Sequence, residues 1–202
     1  MQVIPSYLVG VVHPVRKLEL FWFMYYFLMR KLAIVVLALA LVGGGAANAH
    51  QPVVLLETDT TATKGPLLVD GTISFAVRVA FAKAGQTKAF RVQYAQGDLL
   101  AVEYLIVDRK PENGLTSKAL PTVVITAPTG SKITIKLNER TRFYEPYGKT
   151  NYLYLARYMA MAQPGEYNFV ITSKAKSSIT IAVGAKEIRG EVVRGAAPTP
   201  TI

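Results

Sequence analysis

Cysteine is absent from the 202-residue chain, and histidine occurs only at His13 and His50. Without cysteine there is no disulfide, no thiolate zinc site, no cysteine nucleophile and no lipid-bearing cysteine anchor. No internal repeat of fixed period is present. Hydrophobic residues make up 51% and charged residues 18%, a composition that buries a substantial core and excludes global disorder. The formal charge is +10; residues 50–202 hold 19 basic and 12 acidic side chains, or +7. A surplus of that sign favours anionic partners, although the lysines and arginines are spread along the chain rather than blocked.

The first 49 residues read as an address. Met29-Arg30-Lys31 is a short cationic start, Leu32 to Val42 is an unbroken apolar run, and the small residues that follow end in Ala47-Asn48-Ala49. This is a tripartite export signal, with cleavage expected before His50. As a helix the apolar run rises only about 16 Å, short of a hydrocarbon core of about 30 Å. Residues 1–28 read as an over-extended start or extra leading region, 29–49 as a signal-peptide helix, 50–190 as the folded domain and 191–202 as a disordered tail. The product is expected to be secreted or periplasmic, touching a membrane only through the uncleaved signal.

The remainder alternates with the period of half-buried strands. Ile73, Phe75, Val77, Val79 and Phe81 share one face, and Phe90, Val92 and Tyr94 continue as a hairpin partner after Ala84-Gly85-Gln86. Val53 to Glu57 is a first strand and Leu99 to Val107 a central one. The polar segment from Asp108 to Pro121 is long enough to cross between two sheets. Thr122 to Thr126 pairs with Lys132 to Leu137, whose Ile133, Ile135 and Leu137 face inward. Tyr152 to Met161 also suits a helix, but its neighbours favour a strand, joined by Pro164-Gly165 to Glu166 to Thr172 as a hairpin. Ser178 to Val183 closes a series of eight or nine strands. The expectation is an all-β fold: a two-layer antiparallel β-sandwich of jelly-roll kind.

The apolar strand closing on Asp108, followed later by Gly165, Tyr167, Phe169 and Ile171 in a Gly-x-Tyr strand, is similar to bacterial pre-peptidase C-terminal-type sandwich domains. That resemblance covers Phe90 to Val183 and implies an extracytoplasmic, non-catalytic module. The acidic residues common around the family's first element are sparse here, reduced to Asp98, Glu103 and Asp108.

Candidate chemistry is limited by the same scarcities. After cleavage His50 is the new amino terminus, whose amine and imidazole can chelate copper, but the oxidative copper centres of exported sandwich folds need a second imidazole, which the mature chain lacks. A Ser-His-Asp triad has no internal base and a zinc hydrolase too few ligands. Glu139 and Glu145 form the one carboxylate pair that suits a glycosidase, but the neighbouring Arg140 and Arg142 favour ion pairing. The loop from Asp108 to Gly114 reads as an ordinary turn rather than a calcium site. No catalytic residue, metal or cofactor is assigned. The stretch from Arg140 to Thr172 holds eight of the 19 Phe and Tyr residues and reads as the centre of the core. Its tyrosines at 152, 154 and 158 share a face expected to pack inward, with hydroxyls at the rim. Binding is placed at its leading turn, in Arg140, Arg142, Tyr144, Glu145 and Tyr147, with Arg157 nearby. Flat rings and guanidinium groups suit an anionic glycan, an envelope surface or another exported protein; no nucleic acid is expected after export. The alternatives are a carboxylate-dependent glycan-active enzyme and a structural subunit of an envelope assembly.

Overall fold

The structure is a computed structural model that describes residues 22–32 and 50–194. The chain divides into two units, Met1–Ala46 and Ala47–Ile202. In the first, residues 22–32 form a helix. Rings one turn apart meet on its surface, Trp22 with Tyr25 at 6.4 Å and Phe23 with Phe27 at 5.7 Å. Among the described residues no helix is long and apolar enough to cross a membrane. The expected signal peptide overlaps this helix only at residues 29–32; its apolar run beyond Leu32, its cleavage site and residues 1–21 lie outside the described residues.

The second unit is all-β. Its strands are β1 (Gln51–Val54), β2 (Leu67–Leu68), β3 (Phe75–Phe81), β4 (Thr87–Tyr94), β5 (Leu99–Val107), β6 (Thr122–Thr126), β7 (Lys132–Thr134), β8 (Thr141–Glu145), β9 (Thr150–Met161), β10 (Gly165–Thr172), β11 (Ser177–Val183) and β12 (Val192–Val193). One sheet has the order β1-β3-β11-β5-β9-β8 and the other β12-β2-β4-β10-β6-β7. Within these, β3-β11-β5-β9 faces β4-β10-β6-β7, the interleaved order of a jelly roll made of two Greek keys.

The alternation predicted for β3 holds, with Phe75, Val77, Val79 and Phe81 all buried. The Asp108 to Pro121 segment crosses between sheets as expected, because β5 and β6 lie in different ones. Phe90 and Phe169, directly opposite on β4 and β10, stack at 4.5 Å in the interior. Tyr94 and Tyr167 meet edge to face at 5.3 Å beside them.

Several expectations about connectivity are corrected. β3 and β4 are not a hairpin, nor are β9 and β10; each pair lies in opposite sheets and is joined by an arch. An apolar face is buried equally well beside or across from its partner, so alternation does not distinguish the two arrangements. The sandwich is not wholly antiparallel, since β1 pairs with β3 and β2 with β4 in parallel. The chain from β1 to β4 visits the two sheets in turn, so successive visits to one sheet run in the same direction. Glu191 does not begin a disordered tail, because Val192–Val193 pairs with Leu67–Leu68. Residues 195–202 lie outside the described residues. The leading turn of the Tyr-rich stretch is itself an edge strand, β8, followed by a tight turn.

Candidate functional site

The outer face of the first sheet is built from residues that leave room above it. Outward positions on β3 are Ala76, Arg78 and Ala80, and on β11 they are Ser178, Thr180 and Ala182. Arg78 lies opposite Thr180, and Thr180 opposite Leu105. Small side chains therefore floor the middle of the sheet. On one side rise Pro52 and Val54 of β1, and on the other Phe143 of β8 and Tyr152 of β9, which are cross-strand neighbours. Two hollows result, of about 640 and 220 Å3. Both are lined by Arg78, Tyr152 and Thr180, so they form one depression with Arg78 at the junction. The smaller hollow reaches His50, Phe143, Glu145 and Tyr147; the larger reaches Glu57, Lys88 and Arg109.

The carboxylates of this depression already have partners. Glu57 receives the Lys88 ammonium at 2.6 Å. Glu145 accepts the backbone N–H groups of Tyr147 at 2.8 Å and Gly148 at 2.6 Å, which fixes the β8–β9 turn. Neither Arg78 nor Arg109 has a side-chain hydrogen bond, ion pair or ring contact among the described residues. His50 Nδ1 lies against Ser74 Oγ. Among the described residues no three His, Cys, Asp or Glu side chains cluster as a metal site.

Strand alternation divides the residues expected to bind. Arg142 and Tyr144 project from one face of β8, Phe143 and Glu145 from the other. Glu145 and Tyr147 reach the depression; Arg140 and Arg142 line a separate shallow recess with Asp108 and Asn113. There Arg142 meets Asp108 at 3.3 Å, while the Arg140 guanidinium donates to the backbone oxygens of Asn113 and Leu115 and so pins the crossing loop. Tyr144 is exposed outside both. Arg157 makes two hydrogen bonds to Glu139, at 3.0 and 2.6 Å, and lies 4.8 Å over the Tyr154 ring.

The Arg157 bonds hold the Glu139 carboxyl below its ordinary range, against a small opposing effect of burial. A glycosidase acid needs the opposite shift, so the Arg157 pairing suits Glu139 poorly to that role. Burial, reinforced by the charge of Glu103, pushes the Tyr154 hydroxyl up to about 12. The expectation that tyrosines 152, 154 and 158 pack inward on one face is corrected. A β-bulge opposite Tyr104 and Leu105 inserts Leu155, so Leu153, Leu155 and Ala156 are all buried. Tyr152 and Tyr154 consequently face outward with Arg157, while Tyr158 turns toward the core.

Arg78 and Phe143 do not stand out as site residues in the sequence, Arg109 reads there only as part of a turn, and Tyr152 belongs to a tyrosine set that suits sugar stacking but is expected to pack inward. The visible signal was an arginine at the centre of a strand whose other outward residues are alanines. The chain matches no family model, and no curated protein is significantly similar to it.

Proposed function

We propose that the protein is an exported, non-catalytic module that binds a carbohydrate in the depression on the outer face of its first sheet. The observation that carries this reading is Arg78, without a side-chain partner among the described residues, set across a floor of small side chains from the rings of Tyr152 and Phe143. Flat apolar rings accept the C–H faces of a pyranose, and an unpartnered guanidinium is free to donate to its oxygens. The export signal and the resemblance to pre-peptidase C-terminal-type domains point to the same extracytoplasmic role. A glycan array read together with a hydrolysis assay tests it. Stoichiometric retention without product, reduced by Tyr147→Ala at the exposed rim, is the expected result. Product release would favour the glycan-active enzyme, and retention by no sugar would refute the reading.

A second reading, a structural subunit of an envelope assembly, draws on the far end of β9. That strand runs past β8, and Met159 and Met161 there are each 67% exposed beside Leu99, which pairs with Met161. An uncharged free edge invites another strand. Sizing chromatography decides this point, since a monomer at all concentrations counts against it.

A further inference from the structure

Granting a carbohydrate in this depression, we infer that its ligand is an acidic oligosaccharide that spans two cationic subsites, Arg78 and Arg109. The two hollows are confluent at Arg78, and the larger ends at Arg109 beyond the end of β5. Arg78 is in register with Thr180 and, through it, with Leu105. Arg109 therefore lies two strands across and four residues along, a backbone separation of roughly 15 Å at ordinary strand spacing and rise. At that backbone separation an oligosaccharide lying along the groove can place one acidic group at each arginine.

Charge complementarity selects the ligand class. The two carboxylates that face the depression, Glu57 and Glu145, are engaged by Lys88 and by two backbone amides. Most arginines elsewhere in the sandwich are also occupied: Arg91 by Glu166, Arg142 by Asp108, Arg157 by Glu139 and Arg194 by Asp59. Arg78 and Arg109, the two arginines that line the groove, are left without such a partner among the described residues. A neutral sugar chain would leave these guanidinium groups without anionic partners, whereas carboxylates on separate rings would satisfy both. Between them the small side chains at Thr180 and Ser178 give the chain a path along the sheet.

Titration calorimetry on the purified protein tests this, with α- and β-linked hexuronic acid tetramers, the same tetramers after reduction of their carboxyls to alcohols, and the monouronates. A uronate tetramer is expected to bind at least about tenfold more tightly than its reduced form and to weaken with added salt. Arg78→Ala should weaken tetramer and monomer alike by about tenfold, and Arg109→Ala should weaken the tetramer only. Arg189→Ala, an exposed control outside the groove, should change neither. Reduced tetramers that bind as tightly as the acids, or a tetramer indifferent to Arg109→Ala, would overturn the inference while leaving a neutral-sugar site standing. Failure of every acidic and neutral oligomer to bind would remove the carbohydrate reading with it.

Discussion

Lys88 occupies an inward position of β4 with only 3% of its side chain exposed, whereas its partner Glu57 is 74% exposed. The ammonium reaches the Glu57 carboxylate at 2.6 Å, has the Leu55 carbonyl at 3.5 Å, and lies 5.9 Å from the centre of the Phe81 ring. The ammonium is buried with its stem, and it is the Glu57 carboxylate that lies at the rim. This asymmetry makes the two halves of the pair unequal. Glu57→Ala leaves a buried ammonium with a weak carbonyl contact and a ring, and the loss lies between the 3–5 kcal/mol of a fully buried pair and the ~1 kcal/mol of an exposed one, at about 2 kcal/mol. For a domain of this size that is a fall in Tm of about 6 °C. Lys88→Met keeps the stem, removes the desolvated charge and returns Glu57 to water, so its cost stays within about 1 kcal/mol. In the Lys88→Met background, Glu57→Ala should cost less than about 0.5 kcal/mol. Urea unfolding with unchanged m-values measures all four corners of the cycle. The reasoning fails if Lys88→Met proves the more damaging single change, for the ammonium would then be a net stabilising group rather than a tolerated one.

Tyr104 donates its buried hydroxyl to the Pro121 carbonyl at 3.1 Å, so Tyr104→Phe should cost about 1–2 kcal/mol, while the buried Tyr94 hydroxyl has no partner among the described residues and Tyr94→Phe should be neutral or stabilising in the same urea assay. Gly184 has φ +72° and an added Cβ would sit 2.2 Å from the Ile73 carbonyl oxygen; Gly184→Ala should cost about 3 kcal/mol or more, against about 1 kcal/mol for Gly97→Ala, at φ +85° with open space around it. Burial acts to raise the Asp70 pKa, but hydrogen bonds from the Thr72 hydroxyl and amide and the charge of Lys186 outweigh it and hold the group below its ordinary 3.8. Its stabilisation is therefore complete at neutral pH and is lost as pH falls from about 4 toward the folded-state value; Asp70→Asn should cost about 1 kcal/mol at pH 7 and converge with the parent protein in acid denaturation. Thr180→Glu, opposite Arg78, should leave stability within about 1 kcal/mol and abolish binding of an acidic oligomer; unchanged binding in calorimetry would show that Arg78 is not the contact.

What could be read from the sequence was the set of faces, and what could not was their pairing. Strict alternation from Ile73 to Phe81 fixed a half-buried strand because a period of two admits no other regular structure with one wet side. The same alternation carries no information on whether β4 lies beside β3 or across from it, since Phe90, Val92 and Tyr94 bury equally in either place. The three strands missed or misread, β2, β8 and β12, are either two residues long or lie at an edge, where half of the backbone groups face water and side-chain patterning is weak. The candidate site suffered from a related blindness. Arg140, Arg142, Tyr144, Glu145 and Tyr147 are neighbours in sequence, but alternation along β8 sends them to opposite sides, and only Glu145 and Tyr147 reach the depression. Residues that do gather there come from β1, β3, β4, β5, β8, β9 and β11, distant in sequence and adjacent only after the topology is known. The bulge at Leu155 adds a further phase change that no periodic reading of Tyr152 to Met161 contains.

A sandwich spends the inner face of each sheet on its core, so recognition is left to outer faces, edges and arches. The edges here are mostly closed to pairing: β1 carries Pro52, β7 carries Lys132, and β8 is followed by Pro146 and Lys149. The outer faces then differ in one respect that decides between them. Each has an arginine near the middle of an early strand, Arg78 on β3 and Arg91 on β4. On the second sheet Glu166 of the adjacent β10 meets Arg91 at 3.1 Å, and the charge is satisfied within the protein. On the first, the neighbour opposite Arg78 is Thr180 and the next is Leu105, neither of which neutralises it. An exposed guanidinium is cheap in water, so this difference says little about stability. Set with Pro52 and Val54 on one side and the rings of Phe143 and Tyr152 on the other, over a floor of alanine, serine and threonine, the same guanidinium is an unpartnered charge with a cavity in front of it. The outer face of the first sheet is for that reason where the proposed ligand would gain most from this fold.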